Sequence, residues 1–477
     1  MKNNDYILPD RKAALKRTKG PAETRYDMFS LSEAAAVIGQ GKKYWIRTYG
    51  CQANVRDGET MSGMMELMGF EHTADQNEAD VLIFNSCAIR RAAEEHVLGE
   101  IGSLKAVKRR FPDKVIVLCG CMTQEETVVQ EVLQKYPQVD LIFGTHNIFR
   151  LPDLLVRTML EKKRTVEVYS QEGDVIENLP VRRSSKVKGF VNIMYGCDKF
   201  CTYCIVPYTR GKQRSRRKED ILEEIRSLKE AGMKEVILLG QNVNAYGKDF
   251  IEPYDFADLL EDCAATGIER IRFYTSHPRD YTVRTIDVMA RHANIMNALH
   301  LPVQSGSSEV LRRMARGYTA ESYRALYDEM KQRIPDITFT TDLIVGFPGE
   351  TEEQFEETLD LVRYCRFDMA YAFVFSPRSG TPAASLDDPV SAEEKKDRLH
   401  RLNDLLSSFA ADRNRTYLGK TLKVLCEGKS KKSDQVYSGY SEENKLVNFT
   451  ADHDPTGEIV EVEITETHSF SLDGRAL

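Results

Sequence analysis

Three cysteines occur close together in the stretch GCDKFCTYC, which spans residues 196–204 and follows an apolar, strand-like run. Cys197, Cys201 and Cys204 have C-x3-C-x2-C spacing, and soft thiolate ligands hold zinc, copper(I) or iron–sulfur clusters. A four-iron cluster normally takes four thiolates, and an ordinary zinc site needs a second C-x2-C or a histidine pair, neither of which lies nearby. The stretch therefore predicts a four-iron cluster with one iron left open for a ligand. A structural zinc knuckle and three coincidental thiols are the alternatives.

The composition is that of an ordinary globular protein, with 477 residues, a formal net charge of −7 and ten cysteines. This length predicts two or three domains. No apolar run approaches the ~18 residues of a membrane span, and the N-terminus lacks the apolar core of a signal peptide, so we expect a cytoplasmic protein without membrane contact. Cysteines in a reducing compartment serve metal binding or catalysis more often than disulfides. Because the net charge is negative, any nucleic-acid binding requires a local basic surface.

The first part of the chain combines a basic terminus with an α/β pattern. Residues 1–40 show little apolar periodicity, and we interpret them as a mobile extension. Residues 41–161 alternate short apolar runs with helical segments, which predicts a doubly wound parallel sheet. The extension carries, among other basic residues, Arg11, Lys12, Lys16, Arg17 and Lys19. The predicted strands lie near 44–49, 81–86, 115–119 and 141–143, and the helices near 56–68, 91–110 and 124–135.

A second group of cysteines follows these strands, since Cys51, Cys87 and Cys121 each close one of the first three. Ligands of open parallel sheets bind beyond the carboxyl ends of the strands. The three thiols would therefore form a second three-thiolate site if the strand order brings them together. The alternative is that each is a small hydrophobic core residue. Four further cysteines lie inside a strand or far from other cysteines, and we expect them to be structural core residues. They are Cys119, Cys263, Cys365 and Cys426.

A polar segment at about 162–187 is expected to link this domain to a second one at 183–413. The second domain has a βα series that predicts an incomplete (βα)6 barrel with its functional end at the carboxyl ends of the strands. Its helices include 219–231 and one that opens with a capping box at Thr351 and Gln354. The strands are expected near 189–194, 235–239, 269–274, 297–303, 337–345 and 369–375.

Loops at the functional end of this barrel carry glycines, amides and hydroxyls, which suit a ribose or an amino acid moiety. They span residues 239–242, 276–278, 304–307 and 346–350. His277 and His300 receive no catalytic role, because a lone histidine near a strand end is more often structural.

Two features predict contact with a polyanion. The basic run after the cysteine loop is explained equally well as a solvated face and as a set of phosphate contacts. After a charged helix at 392–414, residues 416–477 alternate apolar and polar side chains, which predicts a small antiparallel β-barrel. The run contains Arg210, Lys212, Arg214, Arg216, Arg217 and Lys218, and the barrel begins with Lys420, Lys423, Lys429, Lys431 and Lys432, whose charge is offset by acidic residues.

Taken together, these features resemble the radical S-adenosylmethionine (SAM) methylthiotransferase family. The resemblance rests on the two cysteine triads, on YGCDKFCTYCIVPYTRGK at residues 195–212, and on the small β tail, and it covers residues from about 43 to the end. Stretches at 275–278, 302–307 and 376–383 make the chain most similar to the type that modifies the isopentenylated adenosine next to the tRNA anticodon.

By this resemblance, the loop cysteines hold a 4Fe-4S cluster whose open iron binds SAM and whose reduction cleaves SAM to a 5′-deoxyadenosyl radical. The triad of Cys51, Cys87 and Cys121 holds an auxiliary 4Fe-4S cluster that carries or donates sulfur for adenosine C2, and a second SAM supplies the methyl group. No catalytic residue is expected beyond the cluster ligands. The expected SAM contacts are Tyr203, Gly240, Gln241, Asn242, Ser276 and Gln304.

The resemblance also implies partners. They are the tRNA anticodon arm, gripped by a TRAM-like tail, an electron donor and a sulfur source. Sister enzymes that act on threonylcarbamoyladenosine in tRNA or on a ribosomal-protein aspartate share both clusters and are the first alternative. A non-catalytic iron–sulfur electron carrier or RNA-binding protein is the second.

Overall fold

The computed structural model describes residues 6–15, 24–88, 91–431 and 433–477. The chain forms three successive units. The first is built on a parallel sheet, the second is a split barrel, and the third is a small closed barrel. None of the described helices combines the length and the apolar composition that a bilayer span requires. The predicted basic residues Lys16, Arg17, Lys19 and Lys432 lie outside the described residues.

The first unit contains short strands and helices in alternation. The strands are β1 (Tyr26–Met28), β2 (Lys43–Tyr49), β3 (Glu71–His72), β4 (Val81–Ser86), β5 (Val115–Gly120), β6 (Leu141–Phe143), β7 (Thr165–Glu167) and β8 (Val175–Glu177). The helices are α1 (Arg11–Leu15), α2 (Glu33–Val37), α3 (Gln52–Leu67), α4 (Arg91–Ser103), α5 (Lys105–Arg110), α6 (Glu126–Lys135) and α7 (Leu151–Glu161).

A parallel six-stranded sheet in the order β3-β2-β4-β5-β6-β7 forms the centre of this unit and confirms the predicted doubly wound fold. Every residue of β4 and β5 is buried, as expected for strands covered by helices on both faces. Separate apolar clusters pack on the two faces of the sheet. The helix predicted over 91–110 is divided into α4 and α5.

Part of the predicted mobile extension is instead folded against the protein. Ile7 forms a parallel bridge with Glu167 in β7, and β1 pairs in parallel with β8. The Tyr26 hydroxyl donates a hydrogen bond to the Ser215 carbonyl at 2.8 Å. The expected linker at 162–187 likewise supplies β7, which is buried in the sheet. Both predictions of irregular chain are wrong here, because strands of three residues leave little apolar periodicity in the sequence.

The second unit is the expected incomplete barrel. Its strands are β9 (Lys188–Asn192), β10 (Met194–Tyr195), β11 (Arg214–Ser215), β12 (Glu235–Leu239), β13 (Arg270–Tyr274), β14 (Ala298–His300), β15 (Thr338–Val345) and β16 (Met369–Val374). Its helices are α8 (Val206–Thr209), α9 (Lys218–Glu230), α10 (Phe256–Ala265), α11 (Val283–Arg291), α12 (Ser308–Arg313), α13 (Ala320–Arg333), α14 (Glu352–Cys365) and α15 (Ala392–Arg415).

The six barrel strands form two parallel sheets, β9-β12-β13 and β14-β15-β16, and the bridge between Ile271 and Ile295 connects the halves. Helices pack on the outer face, where one large apolar cluster includes residues of both sheets. The capping box of α14 forms as predicted, with the Thr351 side chain accepting from the Gln354 backbone N–H. The carboxyl ends of these strands form the barrel rim.

The third unit is a closed barrel of β17 (Thr421–Ser430), β18 (Ser433–Ser441), β19 (Leu446–Thr450), β20 (Ile459–Thr467) and β21 (Leu472–Ala476). Its strand order is β17-β18-β19-β21-β20. The predicted antiparallel barrel is confirmed except for one pair, because β19 and β21 run in parallel. Closure leaves no strand edge unpaired.

The third unit is attached to the barrel end opposite the rim. Arg270 and Arg272 at the start of β13 donate to the backbone carbonyls of Lys423, Tyr440, Ser441 and Glu442 at 2.6 to 3.1 Å. These contacts fix the small barrel beneath the split barrel.

Candidate active site

The strand order of the first unit brings the three separate cysteines to one edge. The last residues of β2, β4 and β5 are register partners in neighbouring strands. Cys87 and Cys121 follow their strands directly, and Cys51 follows one residue later. Gly50 has a φ of +132°, and a Cβ there would come within 2.5 Å of the Cys87 Cβ. Only glycine therefore allows the chain to turn this close to the second cysteine.

The three thiols of this first triad (Cys51, Cys87 and Cys121) have unequal electrostatic surroundings. Contact with Cys87 and the positive charge of Arg210 lower the pKa of Cys51 to about 5. Burial raises the pKa of Cys121. One member of the triad is thus a thiolate at neutral pH even before a metal binds.

The second triad (Cys197, Cys201 and Cys204) lies in a loop after β10 that is held by backbone hydrogen bonds. The Cys197 N–H donates to the Gly211 carbonyl at 3.1 Å, and the Thr202 N–H donates to the Met314 carbonyl at 3.0 Å. Burial raises the pKa of Cys197 to about 11 and that of Cys204 to about 12. These thiols are neutral in the metal-free chain, so metal binding must release their protons.

A buried arginine donates to one thiol in each triad. The Arg210 Nε lies 3.1 Å from the Cys121 Sγ, and the Arg316 Nη1 lies 3.3 Å from the Cys201 Sγ. Arg210 also pairs with Asp57 of α3 at 2.6 Å. Positive charge at these positions stabilises thiolates and anionic clusters. The sequence contains no signal for Arg316, which is distant from the cysteines along the chain.

The interface between the first two units brings one cysteine of the first triad into contact with the residue that follows the second triad. Cys121 packs with Ala88 and Ile205 in one small apolar cluster, and Tyr208 lies against it. Ile205 directly follows the last cysteine of the second triad. The interface therefore places the edge of the first sheet beside the barrel rim.

The same interface contains a carboxylate surrounded by arginines. Glu224 in α9 accepts from Arg56 of α3 at 2.9 Å, from Arg183 at 2.6 Å and from Arg216 at 2.7 Å. Burial raises the pKa of Glu224, but the three guanidinium groups outweigh this and lower it to about 2. This network ties the first unit to the second.

The predicted basic run is not a continuous exposed surface. Arg210 and Arg216 are buried in the ion pairs just described, and Arg214 is half-buried and donates to the Gly173 carbonyl. Because the first unit covers these arginines, their charges form contacts inside the protein. The local sequence does not reveal this burial. The side chain of Arg217 is exposed above the Tyr26 ring, and Lys212 and Lys218 are half-buried.

The loops of the barrel rim bring several of the expected SAM contacts together. The Gly240 N–H donates to the Tyr274 carbonyl at the end of β13, which places residues 240–242 beside Ser276. Gln304 lies on the other three-stranded sheet, where it has a φ of +74°. Tyr203 packs in an apolar cluster with Phe347. The expected contacts thus surround the rim from both half-sheets.

A charged group missed in the sequence organises one side of the rim. Asp280 accepts from Lys199 of the cysteine loop at 2.9 Å, from Lys248 at 2.6 Å and from Asn242 at 2.6 Å. Although burial opposes ionisation, these donors hold the pKa of Asp280 well below its usual value. The Asp280 carboxylate therefore orients both the loop and Asn242.

Asn242 Oδ1 and His277 Nε2 are among the buried polar atoms at the rim that have no hydrogen-bond partner within the described residues. Burial and the charge of Arg316 lower the pKa of His277 to about 2, so its ring is neutral. Its Nδ1 accepts from the Arg279 backbone N–H at 3.3 Å, which leaves Nε2 as a donor. Unpaired buried polar groups are costly, and a polar ligand at the rim would satisfy both.

The donor sets fit iron–sulfur clusters. None of the six cysteines of the two triads, all of which lie in the described residues, forms a disulfide, and thiolates are the usual ligands of four-iron clusters. The three Sγ atoms of neither triad all lie within 4.8 Å of one another, whereas one tetrahedral zinc ion holds its thiolates about 3.8 Å apart. The predicted structural cysteines Cys119, Cys263, Cys365 and Cys426 are buried.

Comparisons with protein families divide the chain as the fold does. The model of the radical SAM superfamily matches residues 191–362, that of the uncharacterized protein family UPF0004 matches residues 43–144, and that of the TRAM domain matches residues 415–477. A solved structure, the radical S-adenosylmethionine methyltransferase TsrM from Kitasatospora setae with cobalamin and a 4Fe-4S cluster bound, has a TM-score of 0.54 and 15% identity, covering 72% of this chain and 77% of that one. Fold and site therefore define a radical SAM enzyme.

Curated relatives narrow this class. The tRNA-2-methylthio-N(6)-dimethylallyladenosine synthase of Bacillus subtilis strain 168 is 54% identical over 470 residues, covering 98% of this chain and 92% of the relative. That of Oceanobacillus iheyensis is 55% identical over 467 residues, covering 98% and 90%. The chain belongs to the family of tRNA-2-methylthio-N(6)-dimethylallyladenosine synthases.

Proposed function

We propose that this chain adds a methylthio group to C2 of an N6-dimethylallyladenosine next to the tRNA anticodon, and that its two cysteine triads serve different steps. The chain is a radical SAM tRNA methylthiotransferase by family, with SAM and 4Fe-4S clusters as cofactors. The main support for this proposal is the packing of Cys121 against Ile205, the residue that follows Cys204, across the interface. A sulfur held at one triad would then be near a radical generated at the other.

The second triad would hold the cluster that binds SAM, and the first triad would hold the auxiliary cluster. When bound, these groups supply the radical chemistry and the sulfur. The protein supplies positions and charges. Arg316 and Arg210 each donate to one thiol, and the interface network around Glu224 keeps the two units in contact.

SAM would be held at the barrel rim by the residues proposed from the sequence, with His277 as one addition. Asn242 Oδ1 and His277 Nε2 are two of the buried rim atoms without a partner in the described part of the chain, and Asp280 fixes the orientation of Asn242 through a hydrogen bond of 2.6 Å. His277 is neutral and would act as a hydrogen-bond donor rather than as a base. The full set of proposed contacts is Tyr203, Gly240, Gln241, Asn242, Ser276, His277 and Gln304.

The tRNA would be bound by the small barrel together with basic residues near the rim, of which Arg217 is exposed and Lys212 and Lys218 are half-buried. Lysines at the start of the barrel are exposed, and phosphate contacts of this kind position a nucleic acid. The proposed units for auxiliary cluster, radical chemistry and RNA binding are residues 41–161, 183–413 and 416–477. The proposed phosphate contacts are Lys212, Arg217, Lys218, Lys420, Lys423, Lys429 and Lys431.

The reaction also requires an electron donor and a sulfur source. We place it in the cytoplasm, where ten cysteines that form no disulfide stay reduced. The test is mass spectrometry of tRNA nucleosides from a strain that lacks this chain. We expect loss of the 2-methylthio form of dimethylallyladenosine and its return when the chain is restored. Unchanged levels would refute the proposal, and loss of a methylthio group from threonylcarbamoyladenosine would identify the sister activity instead.

A further inference from the structure

The inner face of the β14-β15-β16 sheet carries two large aromatic side chains that are still partly exposed. The outer face is occupied, since Leu299, Phe339 and Leu343 pack with the surrounding helices. Residues that alternate with them along the strands therefore face the barrel interior. On that inner face, Tyr371 and Phe373 of β16 are 50% and 43% exposed. Large apolar groups exposed within a concave site are typical of a place where a ligand binds.

A carboxylate lies beside these aromatic rings. Asp342 is the register partner of Tyr371, and Ile344 is the partner of Phe373. The Asp342 Oδ2 lies 3.4 Å from the Nε2 of His300, and the His300 Nδ1 lies 2.9 Å from the Thr340 Oγ1. His300 thus holds one carboxylate oxygen, while the Asp342 side chain is still 30% exposed. An acceptor of this kind is available to a donor on a ligand.

The site lies beneath the cysteine loop. Ile344 packs in the same apolar cluster as Tyr203. Asp342 is three residues before the end of β15, which is about 10 Å below the rim at the rise of a strand. This depth is accessible to a base that has left its stack and enters the barrel.

On the described barrel strands, the inward-facing lysine and arginine side chains lie at the opposite end from Tyr371 and Phe373. Lys188, Arg270 and Arg272 are at the strand beginnings, where Lys188 pairs with Glu427 and the two arginines donate to carbonyls of the small barrel. The carboxylate of Asp342 therefore sets the charge of the aromatic part of the interior.

We propose that Asp342 and Tyr371, supported by His300 and Phe373, form the pocket that recognises the N6 substituent of the target adenine. Asp342 accepts the single N6–H, and the two aromatic rings cover a neutral, branched alkyl group. A substituent with its own carboxylate is repelled by Asp342, which separates this pocket from one that takes threonylcarbamoyladenosine. This inference rests on the proposed function and adds how the enzyme chooses its base.

The test uses the anaerobically reconstituted holoenzyme with synthetic anticodon stem–loop RNAs that carry either N6-dimethylallyladenosine or N6-threonylcarbamoyladenosine. The variants are Asp342→Asn, which keeps the shape and removes the charge, and Tyr371→Leu. The matched controls are Asp360→Asn and Tyr364→Leu, an exposed carboxylate and an exposed tyrosine on the outside of α14.

We expect each interior variant to raise KM for the dimethylallyl RNA roughly tenfold, because a hydrogen bond to a charged group or a stacked ring is lost. Cleavage of SAM without RNA and the urea midpoint should match the wild type. Asp342→Asn should also reduce the difference in binding affinity between the two RNAs. If Asp342 had only a structural role, this difference would stay the same.

Two outcomes would overturn the inference in distinguishable ways. If the wild type modifies the dimethylallyl RNA and both interior variants keep its KM and its discrimination, the pocket is wrong and the proposed function stands. If the wild type modifies only the threonylcarbamoyl RNA, the proposed function fails and the pocket fails with it.

Discussion

Removing Arg210 should destabilise the docking of the first unit on the barrel more than any exposed charge change. The Arg210 and Asp57 side chains are only 9% and 7% exposed, and their closest N–O distance is 2.6 Å. Arg210→Met leaves the Asp57 carboxylate buried without its partner. Breaking a buried pair in this way costs about 3–5 kcal/mol, whereas replacing both partners by apolar groups is often close to neutral. The double variant Arg210→Met with Asp57→Leu should therefore recover most of the loss.

The assay is urea unfolding of the reduced, cluster-free chain followed by the fluorescence of Trp45. This is the only tryptophan of the chain, and it is buried in β2 of the first unit. The matched control is Arg363→Met, whose pair with Asp360 is exposed and should cost less than about 1 kcal/mol. The reasoning is refuted if Arg210→Met costs no more than this control, or if the double variant is as unstable as the single one.

Three further predictions concern the interface and the two triads. Glu224 has a pKa of about 2 in the folded chain and 4.5 in the unfolded chain. Its ionised form therefore adds about 3 kcal/mol to the free energy of unfolding above pH 4.5, and this contribution is lost as the pH falls towards 2. Urea unfolding measured as a function of pH should show no such loss for Glu224→Gln. Gly50→Ala should lower the iron content of the reconstituted chain by roughly one cluster, because the added Cβ meets Cys87, and SAM cleavage should persist. Arg316→Gln should lower the reduction potential of the SAM-binding cluster, as titrated by electron spin resonance, because a positive donor at Cys201 favours the reduced state.

Local sequence patterns were sufficient to predict which residues of the site lie at strand ends. Cys51, Cys87 and Cys121 could be assigned to strand ends from the sequence, but whether these ends are adjacent depends on the strand order. The fold supplies that order, because β2, β4 and β5 are neighbours in the sheet. The barrel loops were found in the same way. The fold class was predictable because long apolar strands alternate with helices.

Features that depend on the docking of units were not predictable. Arg210 and Arg216 belong to one basic run in the sequence, but the first unit buries both, and burial converts charges that look solvent-exposed into internal ion pairs. The parallel pair β19–β21 also follows from barrel closure rather than from alternation. Arg316 and Asp280 reach the site only through tertiary structure.

The central claim is that the two cysteine triads hold clusters with different tasks. It is tested most directly by measuring 5′-deoxyadenosine and methylthiolated RNA from the same anaerobic reaction with Cys87→Ala and with Cys204→Ala. We predict that Cys87→Ala still forms 5′-deoxyadenosine but no methylthiolated RNA, and that Cys204→Ala forms neither. Methylthiolated RNA from Cys87→Ala would contradict the account, and so would 5′-deoxyadenosine from Cys204→Ala.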